Sequence, residues 1–273
     1  MRKSTSKRTN TGHKVFVLVD MEGISGVVRR GHVMQGDPLY AHGRKFMTWD
    51  VNACVEGCFS GGAEQVLVRD AHGAGGDNVI WEELHPRAEY VLGEDGKQRM
   101  AGIDDADAVI LLGYHAMAGT EEAILEHTMS SAAWQNFWLN GRKTGEIGID
   151  AAMAGEHGVP VIMVSGDDKA CREAEEFIPD VVTACVKVGL AVEGGRLLSA
   201  AAAHELIARR AAEAVGKAHK IKPVKIKPPI TARLERVSRG RLPVHGEKPY
   251  VRIIDGRTYE VTADSVEQAI WRL

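Results

Sequence analysis

Three short stretches of this chain place potential metal ligands at the ends of apolar runs: Val19-Asp20-Met21-Glu22-Gly23, Arg69-Asp70-Ala71-His72-Gly73 and Leu112-Gly113-Tyr114-His115. Asp20 and Glu22 are two residues apart, so on extended backbone they project the same way and form a carboxylate pair. Like charges so close repel unless a cation lies between them. The imidazoles of His72 and His115 make a mixed oxygen and nitrogen donor set, which suits Zn2+, and also Mn2+, Co2+ or Fe2+, better than Mg2+ or Ca2+. No cysteine belongs to the group, which argues against a purely structural zinc site. Taken singly, an Asp after a strand is a turn former or helix cap, and a lone His is a hydrogen-bonded structural residue. Three strand ends supplying ligand types at one sheet edge together point to a metal.

The scaffold that must position them is an alternation of short apolar runs with longer segments of helical period. That is the pattern of an α/β fold, a largely parallel sheet flanked by helices. Residues 15–19 form the first strand. A helix follows over 40–60, where Met47, Val51, Cys54, Val55, Cys58 and Phe59 recur at three- and four-residue steps before Gly61-Gly62 stops it. Residues 65–69 form the second strand, and the continuous apolar runs 108–112 and 159–164 are strands covered on both faces. In such sheets ligands bind outside the carboxyl ends of strands, the edge all three motifs occupy.

Asn140-Gly141 supplies the positive φ angles of a tight turn between residues 134–139 and 142–144. Helices are expected over 146–157, over 169–177 with Asp168 as its cap, and over 193–215. The Lys- and Pro-rich residues 217–229 form a linker. The chain then divides into a disordered polar tail (1–13), an α/β metal-binding catalytic domain (14–216), that linker, and a smaller C-terminal α+β unit (230–273). The last has strands at 231–237 and 250–254 and a terminal helix from about Asp264.

The 273 residues are 44% hydrophobic and 26% charged, enough apolar material for a sizeable core. A net charge of -3 makes no electrostatic case for nucleic acid or a membrane surface as partner, so a small molecule or peptide is the expected substrate. No apolar run approaches the roughly 20 residues of a membrane span, and the first dozen residues lack the apolar stretch of a secretory signal. A cytoplasmic location follows as an expectation, with Cys54, Cys58, Cys171 and Cys185 as free thiols. Cys54 and Cys58 share a helix face with Met47, Val51 and Val55, so core packing outweighs metal binding there. Gly73-Ala74-Gly75-Gly76 has neither the spacing of a dinucleotide fingerprint nor the Lys of a P-loop, and is read as a flexible stretch. Trp134, Phe137 and Trp138 are expected to fill core, with substrate stacking or a subunit interface as alternatives.

The block Val19-Asp20-Met21-Glu22-Gly23-Ile24-Ser25-Gly26 resembles the opening motif of the zinc-dependent D-aminopeptidases, a family of self-compartmentalising metallopeptidases. Asp70-Ala71-His72, Leu112-Gly113-Tyr114-His115, Glu126-His127-Thr128-Met129, Gly145-Glu146-Ile147-Gly148 and Val164-Ser165-Gly166-Asp167-Asp168 are similar to its later blocks, in the same order. The resemblance runs from about residue 15 to 187. It implies two zinc ions per subunit, with Asp20 bridging them, Glu22 and His72 completing one site, and His115 and Glu146 completing the other. His127 is then the catalytic histidine, and the assembly a homo-oligomer, commonly a decameric ring. This chain departs from the pattern in its longer polar N terminus, an apparent one-residue insertion between His127 and Glu146, and a divergent segment at 132–137. By residue type alone Glu146 is a carboxylate favoured by a helix dipole, and only the resemblance makes it a ligand. Asp70 either accepts a hydrogen bond from a ligand histidine, fixing its tautomer, or forms a turn.

The expected activity is hydrolysis of the N-terminal amide bond of short peptides or amino-acid amides, D-alanine-containing ones included. A metal centre of this kind acidifies water, and His127 acts as nucleophile, as the family has it, or as a proton shuttle in a water-based mechanism. Two rivals use the same residues. A dinuclear phosphoesterase lacks a clear Arg or Lys clamp beside the motifs. A non-catalytic assembly protein on the same fold would carry no stoichiometric zinc.

Overall fold

Successive residues of the first strand, β1 (His13–Val19), are buried on opposite sides: Val15, Val17 and Val19 enter one core cluster, Phe16 and Leu18 the other. A strand with no solvated face needs a cover on both sides, and the chain supplies it by crossing over between strands. The computed structural model describes residues 13–74, 77–93, 99–240, 242–244 and 246–273. Its elements run α1 (Tyr40–Ser60), β2 (Ala63–Asp70), β3 (Glu89–Val91), β4 (Ala108–Tyr114), β5 (Trp134–Leu139), β6 (Arg142–Lys143) and α2 (Glu146–Glu156). There follow β7 (Val161–Asp167), α3 (Asp168–Phe177), β8 (Val182–Ala191), β9 (Gly194–Leu197), α4 (Ala200–Lys217), β10 (Ile230–Arg236), β11 (Val251–Ile253), β12 (Thr258–Ala263) and α5 (Val266–Arg272).

Seven strands form the main sheet in the order β3-β2-β1-β4-β7-β8-β9, parallel except for the β8–β9 hairpin. Register sets up the site: Val19 pairs with Asp70 on one side and with Leu112 on the other, so all three ligand motifs leave the sheet at one level. On one face α1 packs along α4, with Met47, Val51, Cys54, Val55 and Cys58 fully buried against Ile207 and Ala211. Each large apolar side chain removed from water there contributes about 1.5–3 kcal/mol. The other face is covered by α2 and α3 and by residues of the second sheet, Ile230, Ala232, Tyr259 and Val261 among them.

That second sheet is antiparallel, β11-β12-β10-β5-β6, and unites the C-terminal strands with the hairpin at 134–143. Asn140 (φ 46) and Gly141 (φ 81) make the expected hairpin turn. Phe137 is core; Trp134 lies half-buried against it, their ring centroids 5.4 Å apart.

Two expectations need correction. The helix expected over 193–215 begins only at Ala200, after Ser199, whose side chain caps it; residues 194–197 are strand β9 instead, a hairpin partner for β8. Asp167, not Asp168, caps α3, because Asp167 keeps extended backbone and its carboxylate accepts the Lys169 and Ala170 amides, while Asp168 is already helical. The expected polar tail lies outside the described residues up to position 12, as do Gly75 and Gly76. No helix among the described residues is long and apolar enough to cross a membrane.

Candidate metal centre

The loop after β1 is pressed onto the end of β4. The Asp20 amide donates to Leu112 O (2.9 Å) and the Gly23 amide to Gly113 O (2.7 Å). A Cβ on Gly23 would stand 1.9 Å from Tyr114 O, and one on Gly113 (φ +73) 2.4 Å from Asp20 O, so the two backbones can cross this closely only at glycine. Asp20, Glu22 and His115 are consequently buried at 5%, 6% and 1% exposure.

Two trios of donor atoms result, Asp20, Glu22 and His72, and His115, His127 and Glu146, each within 4.8 Å of one another. Asp20 joins them. Its Oδ1 is 3.2 Å from His72 Nδ1, and its Oδ2 is 3.3 Å from His115 Nε2. His72 Nδ1 is also 3.1 Å from Glu22 Oε2, and His115 Nε2 is 3.2 Å from Glu146 Oε1. Two donors bound to one zinc at roughly 2.0–2.1 Å in tetrahedral geometry stand about 3.3 Å apart, so these separations suit shared cations. Asp20 Oδ2, Glu22 Oε2 and His115 Nε2 are buried without a well-formed hydrogen bond, which native interiors avoid unless something else satisfies the atom.

Backbone carbonyls fix the rings. His72 Nε2 donates to Val33 O (3.0 Å), His115 Nδ1 to Ala116 O (3.0 Å) and His127 Nδ1 to Leu125 O (2.9 Å). A carbonyl only accepts, so those nitrogens carry the proton and the opposite nitrogens face the carboxylates. Carbonyl support of this kind is the usual outer contact of a metal-binding histidine. His127 stacks on His115, ring centroids 3.9 Å apart, with its Nε2 3.7 Å from Glu146 Oε1.

The electrostatics favour positive charge among these carboxylates. Burial opposes ionisation of Asp20, yet the imidazoles of His115 and His72 hold its carboxyl well below the usual range. Burial likewise opposes charging His72 and His115, yet Glu22 and Asp20 raise the first, and Glu146 and Asp20 the second, well above the ordinary imidazole value. Burial pushes Glu146 up, but chiefly His115 brings it to about 2. Protonated rings would neutralise these carboxylates, and divalent cations would take the place of those protons.

Every sequence-derived candidate is at this edge. Asp70 supports His72 through its backbone and not its ring: its carboxylate accepts the His72 amide (3.3 Å), the Asn78 amide (3.0 Å) and Asn78 Nδ2 (2.9 Å). Four further charged residues complete the surroundings. Arg99 forms a two-pronged pair with Asp150 (2.6 and 2.8 Å) and reaches Glu146 Oε2 (3.1 Å), and Asp150 also accepts the Tyr114 hydroxyl (2.6 Å). Glu173 accepts the Met117 amide (2.7 Å), and Lys187 is buried beneath the Glu22 loop. Asp150 sits within the otherwise apolar helix Glu146–Glu156, and a lone charge in such a run is the signal that marks it, whereas Lys187 shares β8 with polar Thr183 and has no such marker.

Carboxylates and ring nitrogens gathered with buried, unpartnered atoms at the carboxyl edge of a parallel sheet make a candidate metal centre. The sequence profile described as D-aminopeptidase matches residues 13–273. A D-aminopeptidase of Bacillus subtilis (strain 168) is 39% identical over 213 residues, 77% of each chain. The solved zinc-dependent D-aminopeptidase from Bacillus subtilis, described as a self-compartmentalizing protease, superposes with a TM-score of 0.89 at 34% identity, covering 95% of this chain and 96% of that one. The chain belongs to the D-aminopeptidase family.

Proposed function

We propose that the protein is an aminopeptidase with two zinc ions per subunit. Asp20 would be shared between them, Glu22 and His72 would hold one, and His115 and Glu146 the other, with Mn2+, Co2+ or Fe2+ as alternative occupants. The observation that carries this reading is the division of the Asp20 carboxylate, one oxygen toward His72 and the other toward His115. The zinc dependence of the solved relative supports the choice of metal.

When bound, such ions polarise a carbonyl and make hydroxide available from water near neutral pH. The protein's own part is proton handling. His127 Nδ1 is held by Leu125 O, so Nε2 is the basic nitrogen, and it faces the centre beside Glu146. It would accept a proton from the attacking water and return it to the leaving amine nitrogen as the C–N bond breaks. Attack by the same nitrogen is the alternative role.

The substrate class is the N-terminal amide bond of short peptides or amino-acid amides, D-alanine-containing ones included. The names of the relatives support a D-residue at the amino end, and the self-compartmentalizing relative supports a homo-oligomer, for which a decameric ring is the expected form. The test is metal analysis of purified protein joined to a screen of D- and L-aminoacyl amides. We expect two zinc ions per chain and chelator-sensitive cleavage of D-alanyl substrates. Cleavage of phosphate esters but not amides, or protein free of stoichiometric metal, would sink the reading.

A further inference from the structure

Lys187 lies on β8, 2% exposed, with no carboxylate among its hydrogen-bond partners. Its Nζ donates to Glu22 O (2.6 Å), Ile24 O (2.8 Å) and Val27 O (2.7 Å). An ammonium has three donors and no acceptor, so its whole capacity is spent on one loop. That loop carries Asp20 and Glu22 out of β1. Burying a charge without a paired carboxylate is costly unless every donor is satisfied, so the convergence of three carbonyls on one nitrogen is a built feature. From the other side Asp50, on α1, accepts the Ser25 amide (2.7 Å) and hydroxyl (2.5 Å). The peptide group that follows Glu22 is therefore held from both ends, its N–H (Gly23) by Gly113 O and its carbonyl (Glu22) by Lys187. None of the three carbonyls that Lys187 holds belongs to His115, His127 or Glu146.

We propose that Lys187 is a positioning residue for the Asp20, Glu22 and His72 half of the centre, holding the Glu22 backbone so that its carboxylate meets His72, and that its loss weakens metal binding in that half alone. This rests on the two-zinc reading above. Outer contacts of metal ligands are worth roughly 10–100-fold in metal affinity.

The test is a metal titration of the full chain, with the affinities of both ions measured in wild type, K187M and K187Q. Cobalt absorption spectra of E22Q and E146Q serve to assign each half. In folded K187M we expect one ion bound as in wild type and the Glu22-side ion bound roughly 10–100-fold more weakly. In the E22Q background the K187M effect should largely vanish, because coupled residues are non-additive. K187Q fills the same space without the ammonium and serves if K187M does not fold, with the same expectation. Unchanged affinities, or equal weakening of both halves, overturn the proposal, as does a chain that folds with neither substitution. Wild type binding fewer than two ions overturns the two-zinc reading and this inference together. Wild type binding two, with K187M unchanged, overturns only the role of Lys187.

Discussion

The two halves of the centre are built differently. Asp20, Glu22 and His72 leave the ends of two neighbouring strands within a few residues, and backbone hydrogen bonds, crossing glycines and a buried ammonium fix their loops. His115, His127 and Glu146 come from a strand end, a loop and a helix start. The loop bends through left-handed backbone at Glu122 (φ 55), Leu125 (φ 53) and Met129 (φ 58). Each such residue costs on the order of 1 kcal/mol, and the strain persists only where surrounding contacts impose it. Here they are long-range: the Ile124 amide to Asp167 (2.8 Å), the Leu125 amide to Val192 O (2.9 Å) and the Met129 amide to Glu146 (2.7 Å). One half takes its ligands directly from strand ends, whereas the other takes two of its three from a loop and a helix start and holds the ring best placed to move protons.

The largest effect should come from the residue the halves share. D20A removes the carboxylate that joins the two trios, so both ions should be lost and activity should fall on the order of 10⁴-fold or more, the several kcal/mol such ions supply. Retention of one tightly bound ion would show that the halves are independent and break the bridging role. H127A divides the halves more finely. If His127 handles protons and is not a ligand, kcat should fall roughly 10³-fold while two ions remain bound. Loss of an ion from the His115 half would instead make His127 its third ligand, a role its position in that trio allows.

The same contrast decides what is legible in the sequence. Asp20, Glu22, His72 and His115 each follow an apolar run long enough to be a strand, and strand ends of a parallel sheet share an edge. His127 and Glu146 have no such marker: residues 116–130 carry no period, and left-handed angles at Glu122, Leu125 and Met129 follow no turn rule for those residue types. Only the resemblance identified them. Helix α1 is legible because its buried face repeats at helical spacing, whereas β8 is hidden by the polar Thr183 and Lys187 within it. The Ala-rich stretch of α4 extends a helical pattern back over Gly194-Gly195, which the chain uses as an edge strand. Asp167 and Asp168 are equally good caps by type, and only the backbone decides between them. Arg99 pairs with Asp150, 51 residues away, and the sequence marks only the Asp.

The smallest expected effect concerns how the second half is held. Glu173, on α3, does for the loop after His115 something like what Lys187 does for the Glu22 loop, accepting the Met117 amide from a buried position. Burial pushes its carboxyl from 4.5 up to about 7, the Met117 amide only partly opposing this. Between these values the native protein keeps a proton that the unfolded chain has released, so stability falls as pH rises through the window and is level outside it. The full amplitude is about 3 kcal/mol. Glutamine mimics the neutral acid and cannot titrate. Urea unfolding of metal-free protein should therefore show wild type losing up to about 3 kcal/mol relative to E173Q between pH 4.5 and about 7, with the loss complete above that. Parallel stability curves for the two proteins would mean that Glu173 is ionised at neutral pH, and that the second half is held by a charge, as the first is.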